Sequence, residues 1–172
     1  MSSLRKHVLK LAVSAVRGSS SSDASIPAPP PLDPLHTGRF QHFGYPVDLN
    51  WMATEGIKHI AGYKDMDPKT DVWLAIHYLI GDLCELAGIP TTSDGQDTPW
   101  PVVNLVRVFP TKDMQAKATI ERLPRGGSCI TLVSLSRYPC NSTEYQPSRK
   151  QIEVFSKVFG FEPAWYTSVE KR

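Results

Sequence analysis

The sequence predicts an α+β domain, a mainly antiparallel β-sheet packed against two helices, preceded by a disordered basic tail and a Pro-rich linker. Three observations lead there. Two segments repeat apolar residues at spacings of three and four between capping residues, three intervening runs are rich in branched residues, and a Ser- and Pro-rich stretch cannot bury a core.

The first helix is expected from about Pro68 to Ala87, with Asp67 as N-cap, Pro68 at the first helical position, Gly88 as stop and Pro90 beyond it. Its apolar stripe is Val72, Ile76, Leu79, Ile80, Leu83, Leu86 and Ala87. A second helix begins at Ser148, which forms a reciprocal capping box with Gln151; Ile152, Phe155 and Phe159 make its buried face and Gly160 ends it. The β-like runs are Val102 to Phe109, Ala116 to Leu123 and Cys129 to Leu135, with Leu123-Pro124-Arg125-Gly126-Gly127 turning the last two into a hairpin. Adding strands at Tyr45 to Ala53 and Trp165 to Val169 gives the order β, α, β, β, β, α, β and a sheet covered on one face.

Charge divides the chain more sharply than its net +2 suggests. The first acidic residue is Asp23, so residues 1 to 22 carry Arg5, Lys6, Lys10 and Arg17 and no acid, leaving 15 basic against 17 acidic side chains in the rest. In a helix, Leu4, Val8, Leu11 and Ala15 form a stripe with Arg5, Lys6 and Lys10 mostly off it. The boundaries that follow are a basic amphipathic tail at 1–22, a Pro-rich linker at 23–38 and a globular domain at 39–172.

Cys84, Cys129 and Cys140 are odd in number and form no C-x-x-C pair, which argues against a disulfide framework or zinc cluster and for a reducing compartment. Asn141-Ser142-Thr143 has the form of a glycosylation sequon, but no signal-like apolar core follows the first charges, and no run of 18 apolar residues spans a membrane. His7, His36, His42, His59 and His77 lack zinc-site spacing; His77 and Cys84 share a face of the expected helix; Gly126-Gly127 lacks the context of a phosphate loop; and Asp67, beside Asp65, is already a helix cap. No acid, base and nucleophile set emerges, and no cofactor is implied. The chain therefore reads as a non-enzymatic assembly protein.

Candidate contacts concentrate near the N-terminus. Arg5, Lys6, Lys10 and Arg17 supply roughly 4 kcal/mol at an anionic membrane, about 1 kcal/mol per cation, so one copy binds weakly and many copies bind well. Ser2 stands where a myristoyl anchor needs Gly. The same acid-free, Arg-bearing, Ser-rich start also fits a mitochondrial transit peptide, which is the alternative reading. Pro29, Pro30, Pro31 and Leu32 can present a polyproline face or act as a stiff spacer. Tyr45, Pro46 and Leu49 have the form of a docking peptide, though alternation continuing into Trp51 favours a strand there.

This layout resembles the rhabdovirus matrix proteins. Met1-Ser2-Ser3-Leu4-Arg5-Lys6 and then Ala28-Pro29-Pro30-Pro31 are similar to the family's basic N-terminus and proline-rich late-domain region. At the other end, Phe155-Ser156-Lys157-Val158-Phe159-Gly160 followed by Ala164-Trp165 and Ser168-Val169 is similar to its closing helix and strand. The resemblance implies a structural protein at the inner face of a virion envelope and on host membranes. Its partners would be other copies of itself, the viral nucleocapsid, an anionic membrane and host budding machinery. The family's PPxY signal is not matched, since Leu32-Asp33 follow Pro31, whereas Tyr45 to Leu49 has the form of a Y-P-x-x-L late signal.

Overall fold

The structure, a computed structural model, describes residues 26–59, 71–89, 103–112, 114, 118–139 and 146–171. Among these, five strands and three α-helices follow a single 3-10 turn at Pro34–His36. They are β1 (Arg39–Pro46), α1 (Leu49–His59), α2 (Val72–Ala87), β2 (Asn104–Val108), β3 (Ile120–Arg122), β4 (Ser128–Tyr138), α3 (Arg149–Phe159) and β5 (Ala164–Lys171). The α+β class and the antiparallel sheet agree with the sequence reading.

All strand pairs are antiparallel, and the sheet curls until it meets itself. β1 lies between β5 and β4, with Phe43 opposite Trp165 on one side and Ser136 on the other. β2 also touches both, through Val108 opposite Ile130 of β4 and Ser168 of β5. Four strands thus form a ring, and β3 extends the β4 edge beyond β1, where the Thr119 N–H donates to the Val47 carbonyl at 3.2 Å.

Two-residue alternation sorts the strands between two cores. Phe43, Tyr45, Val133 and Leu135 face the helices, joining Met52 and Ala53 of α1, Ile76, Leu79 and Leu83 of α2, and Ile152 and Phe155 of α3. The neighbouring positions Ile130, Leu132, Val108 and Tyr166 form a smaller cluster inside the ring, with Met114 and Ala118 against it. Between Phe43 and Gly44 the register shifts, which leaves Leu135 without a cross-strand partner. Gly44 sits so close to β4 that a Cβ there would lie 2.0 Å from the Val133 carbonyl oxygen.

Two sequence expectations need correction. Tyr45 to Ala53 is not one strand: β1 ends at Pro46, and α1 starts at Leu49 because the Asp48 carboxylate accepts from the Asn50 and Trp51 N–H groups at 2.8 and 3.1 Å. The covering layer therefore holds three helices, not two. α2 begins at Val72 with Asp71 at its N-cap, rather than at Pro68 after Asp67; Asp65, Asp67 and Pro68 lie outside the described residues. Its stop is as expected, since Gly88 takes a left-handed φ of 65°.

α3 also follows its sequence signals. The Gln151 N–H donates to the Ser148 hydroxyl at 3.4 Å, and the Ser148 N–H donates to Gln151 Oε1 at 2.8 Å. Gln151 Nε2 also reaches the Gly88 carbonyl at 3.1 Å, so the start of α3 is tied to the end of α2. The expected hairpin joins β3 to β4 through Gly126 and Gly127, both at positive φ.

Candidate interaction surfaces

The proline-rich segment does not leave the domain freely once it is within reach of it. Ile26 packs against the helix-side core, Trp165 Nε1 donates to the Pro27 carbonyl at 2.8 Å, and Gln41 Nε2 donates to the Pro30 carbonyl at 2.9 Å. Proline suits such a strap: its backbone is pre-set and its carbonyl still accepts hydrogen bonds. Pro30 and Pro31 remain exposed, while Pro29 and Leu32 are half-buried.

The strap ends in a capped turn. The Asp33 carboxylate accepts from the Leu35 N–H at 2.9 Å, which leaves Leu35 almost entirely in solvent. The His36 ring then stacks on Phe109 with centroids 4.7 Å apart, and the Arg39 guanidinium lies 5.1 Å from the same ring. Gly38, at a φ of 78°, turns the chain into β1. Replacing Trp165 by Phe keeps most of the packing and removes one hydrogen bond, so it should loosen the strap by about 1 kcal/mol. Limited proteolysis should then cleave at residues 26–38 faster than in the wild type, with the overall unfolding midpoint little changed.

The Y-P-x-x-L segment has a different fate. Tyr45 is fully buried, and its hydroxyl donates to the Ile152 carbonyl at 3.1 Å while lying 2.8 Å from the Ser156 hydroxyl. Its ring stacks on Phe159 at 4.8 Å and meets Phe161 edge-on at 5.7 Å. Burial raises the phenol's pKa, with the nearby Glu162 adding to the rise and the Ser156 hydrogen bond opposing it. Pro46 is buried as well and Leu49 is half-buried in the first turn of α1. Tyr45 and Pro46 belong to the buried interior and Leu49 to the first turn of α1, so the folded domain does not present the three as an extended peptide.

His77 and Cys84 do not form a site either. His77 is exposed, whereas Cys84 belongs to the core and burial pushes its thiol up to about 11. Cys129 is also a buried free thiol. Among the described residues no three His, Cys, Asp or Glu side chains gather around a possible metal position, and no helix is long and apolar enough to cross a membrane.

The surface that sequence reasoning missed lies on α2. Its inner positions are Ala75, Ile76, Leu79, Leu83 and Cys84, but Trp73, Leu74 and Tyr78 are exposed at 65%, 45% and 43%. Together with Leu105 of β2 they border an open groove of about 880 Å³. The residue pattern held the signal, because apolar side chains occupy more of α2 than one buried stripe requires. Arg5, Lys6, Lys10 and Arg17, by contrast, lie outside the described residues. Comparison with family models, curated proteins and solved structures gives no match.

Proposed function

We propose that the chain is a matrix-type structural protein, not an enzyme. It binds the inner face of a viral envelope, associates with copies of itself, condenses the nucleocapsid and promotes assembly and budding. The observation that carries this reading is the coupling of a wholly cationic tail to a folded domain by an anchored strap. The hydrogen bonds of Trp165 and Gln41 to Pro27 and Pro30 hold the strap on the domain. Every copy in an assembly then holds its strap, the point from which the tail starts, in the same place. Four cations contribute roughly 4 kcal/mol at an anionic surface before ordering costs, too little to hold one molecule but ample when many act together.

Two features of the described domain favour the reading. The strap keeps Pro30 and Pro31 outward, where a host partner with an aromatic groove could reach them; Tyr45 to Leu49 offers nothing comparable. The exposed aromatic side chains of α2 supply apolar surface on the folded domain itself.

Deleting residues 2 to 17 tests the membrane contact. Sedimentation with anionic vesicles should fall several-fold, and binding by the full chain should decline steeply as salt rises through the range where surface charges are screened. Binding unchanged by the deletion would sink the role. The acid-free, Arg-bearing start supports a second reading, a mitochondrial protein cleaved near residue 22. N-terminal sequencing of the mature chain separates the two, since a matrix protein keeps its tail.

A further inference from the structure

We propose that the outer groove of α2 is the docking site for the chain's own N-terminal segment 4–16, bound within the same molecule. Two of the groove's lining residues are Asp82 and Glu85, and α2 holds no Lys or Arg from Val72 to Ala87. Both acids fall in its last two turns, where the helix dipole already places negative charge and a cation is preferred. Residues 1 to 22 have the opposite character, with four cations and no acid. Their apolar stripe, Leu4, Val8, Leu11 and Ala15, matches a border made by Trp73, Leu74, Tyr78 and Ile80.

Length and attachment agree. A helix over residues 4–16 would be about 20 Å long, close to the roughly 18 Å from Trp73 to Glu85 along α2. Ile26 is packed on the same core as the inner face of α2, and the nine residues 17–25 between segment and strap reach roughly 30 Å when extended. Such a tether keeps the tail near the groove at an effective concentration of order millimolar. Two copies of α2 packed in parallel would set Asp82 and Glu85 against their own like charges, whereas segment 4–16 brings cations to them.

The consequence for membrane binding rests on the function proposed above. One apolar stripe cannot occupy the groove and a bilayer together, so docking holds the tail back until a membrane competes for it. If the docked form holds nine-tenths of the population, emptying the groove raises vesicle affinity up to about tenfold.

The test uses the full chain. Val8→Asp with Leu11→Asp should shift the backbone amide resonances of residues 73–85, because the tail leaves them, and should shift few elsewhere. Trp73→Ser, at an exposed position, should produce a similar displacement and bind vesicles containing phosphatidylserine more tightly than the wild type. An α2 spectrum unmoved by the tail substitutions overturns the proposal. Shifts that disappear on dilution overturn it too, and assign the groove to a second molecule. If the α2 resonances move but no variant binds vesicles, docking stands and the membrane reading fails.

Discussion

Gly56→Ala should destabilise the domain by about 3 kcal/mol, near the top of the usual cost of overpacking, because the clash is with backbone rather than a movable side chain. A Cβ at Gly56 would stand 2.0 Å from the carbonyl oxygen of Ala75 and 2.5 Å from its carbon, so α1 and α2 approach through their main chains at that point. The helices must separate to admit a methyl group, which opens the core beside Met52, Ala53 and Ala75. Gly81→Ala is the internal control. An added Cβ there meets nothing within 4 Å, and the helical propensity gained should stabilise α2 by roughly 0.5–1 kcal/mol. Urea unfolding should move the two midpoints in opposite directions; similar losses for both would contradict the close approach at Gly56.

Phe155→Ala should cost about 3–5 kcal/mol, a large share of the 5–15 kcal/mol available to most domains. Phe155 is fully buried, with ring centroids 6.3 Å from Tyr45 and 6.4 Å from Phe159, and it belongs to the core that joins α3 to β1 and α2. Removing the ring loses apolar burial and leaves a cavity lined by side chains already held in place, among them Tyr45 through its bonds to Ile152 and Ser156. Thermal melting should show a midpoint lower by roughly 10 °C, with Phe155→Leu losing far less. A loss below about 1 kcal/mol for the alanine variant would place the domain's stability elsewhere.

What was legible in the sequence follows from how local each signal is. Ser148, Gln151 and Gly160 act within a turn of their own helix, so α3 could be read to the residue. The Gly126-Gly127 turn is equally local. α1 was hidden because alternation from Tyr45 to Trp51 favours a strand. Even so, the same residues place Asp48 at a cap position and Met52, Ala53 and Gly56 at helical spacing, and the fold buries all three.

Ring closure was not legible, since it depends on β1 meeting strands that follow it by roughly a hundred residues and on the register shift beside Gly44. The candidate contacts divide the same way. Composition gave residues 23–38 only as a linker; that residues 26–38 are instead a strap on the domain depends on Trp165 and Gln41, which only the fold brings to Pro27 and Pro30. Composition also offered Tyr45 to Leu49 as a peptide, and burial in the aromatic cluster of α3 removes it.

The central claim is that the domain assembles on a membrane so that weak tails act together. Electron microscopy of the purified full chain with anionic vesicles tests it most directly. Ordered arrays of protein on the vesicle surface, absent on neutral vesicles, are the expected result. Isolated molecules at every protein concentration, or arrays indifferent to lipid charge, would contradict it.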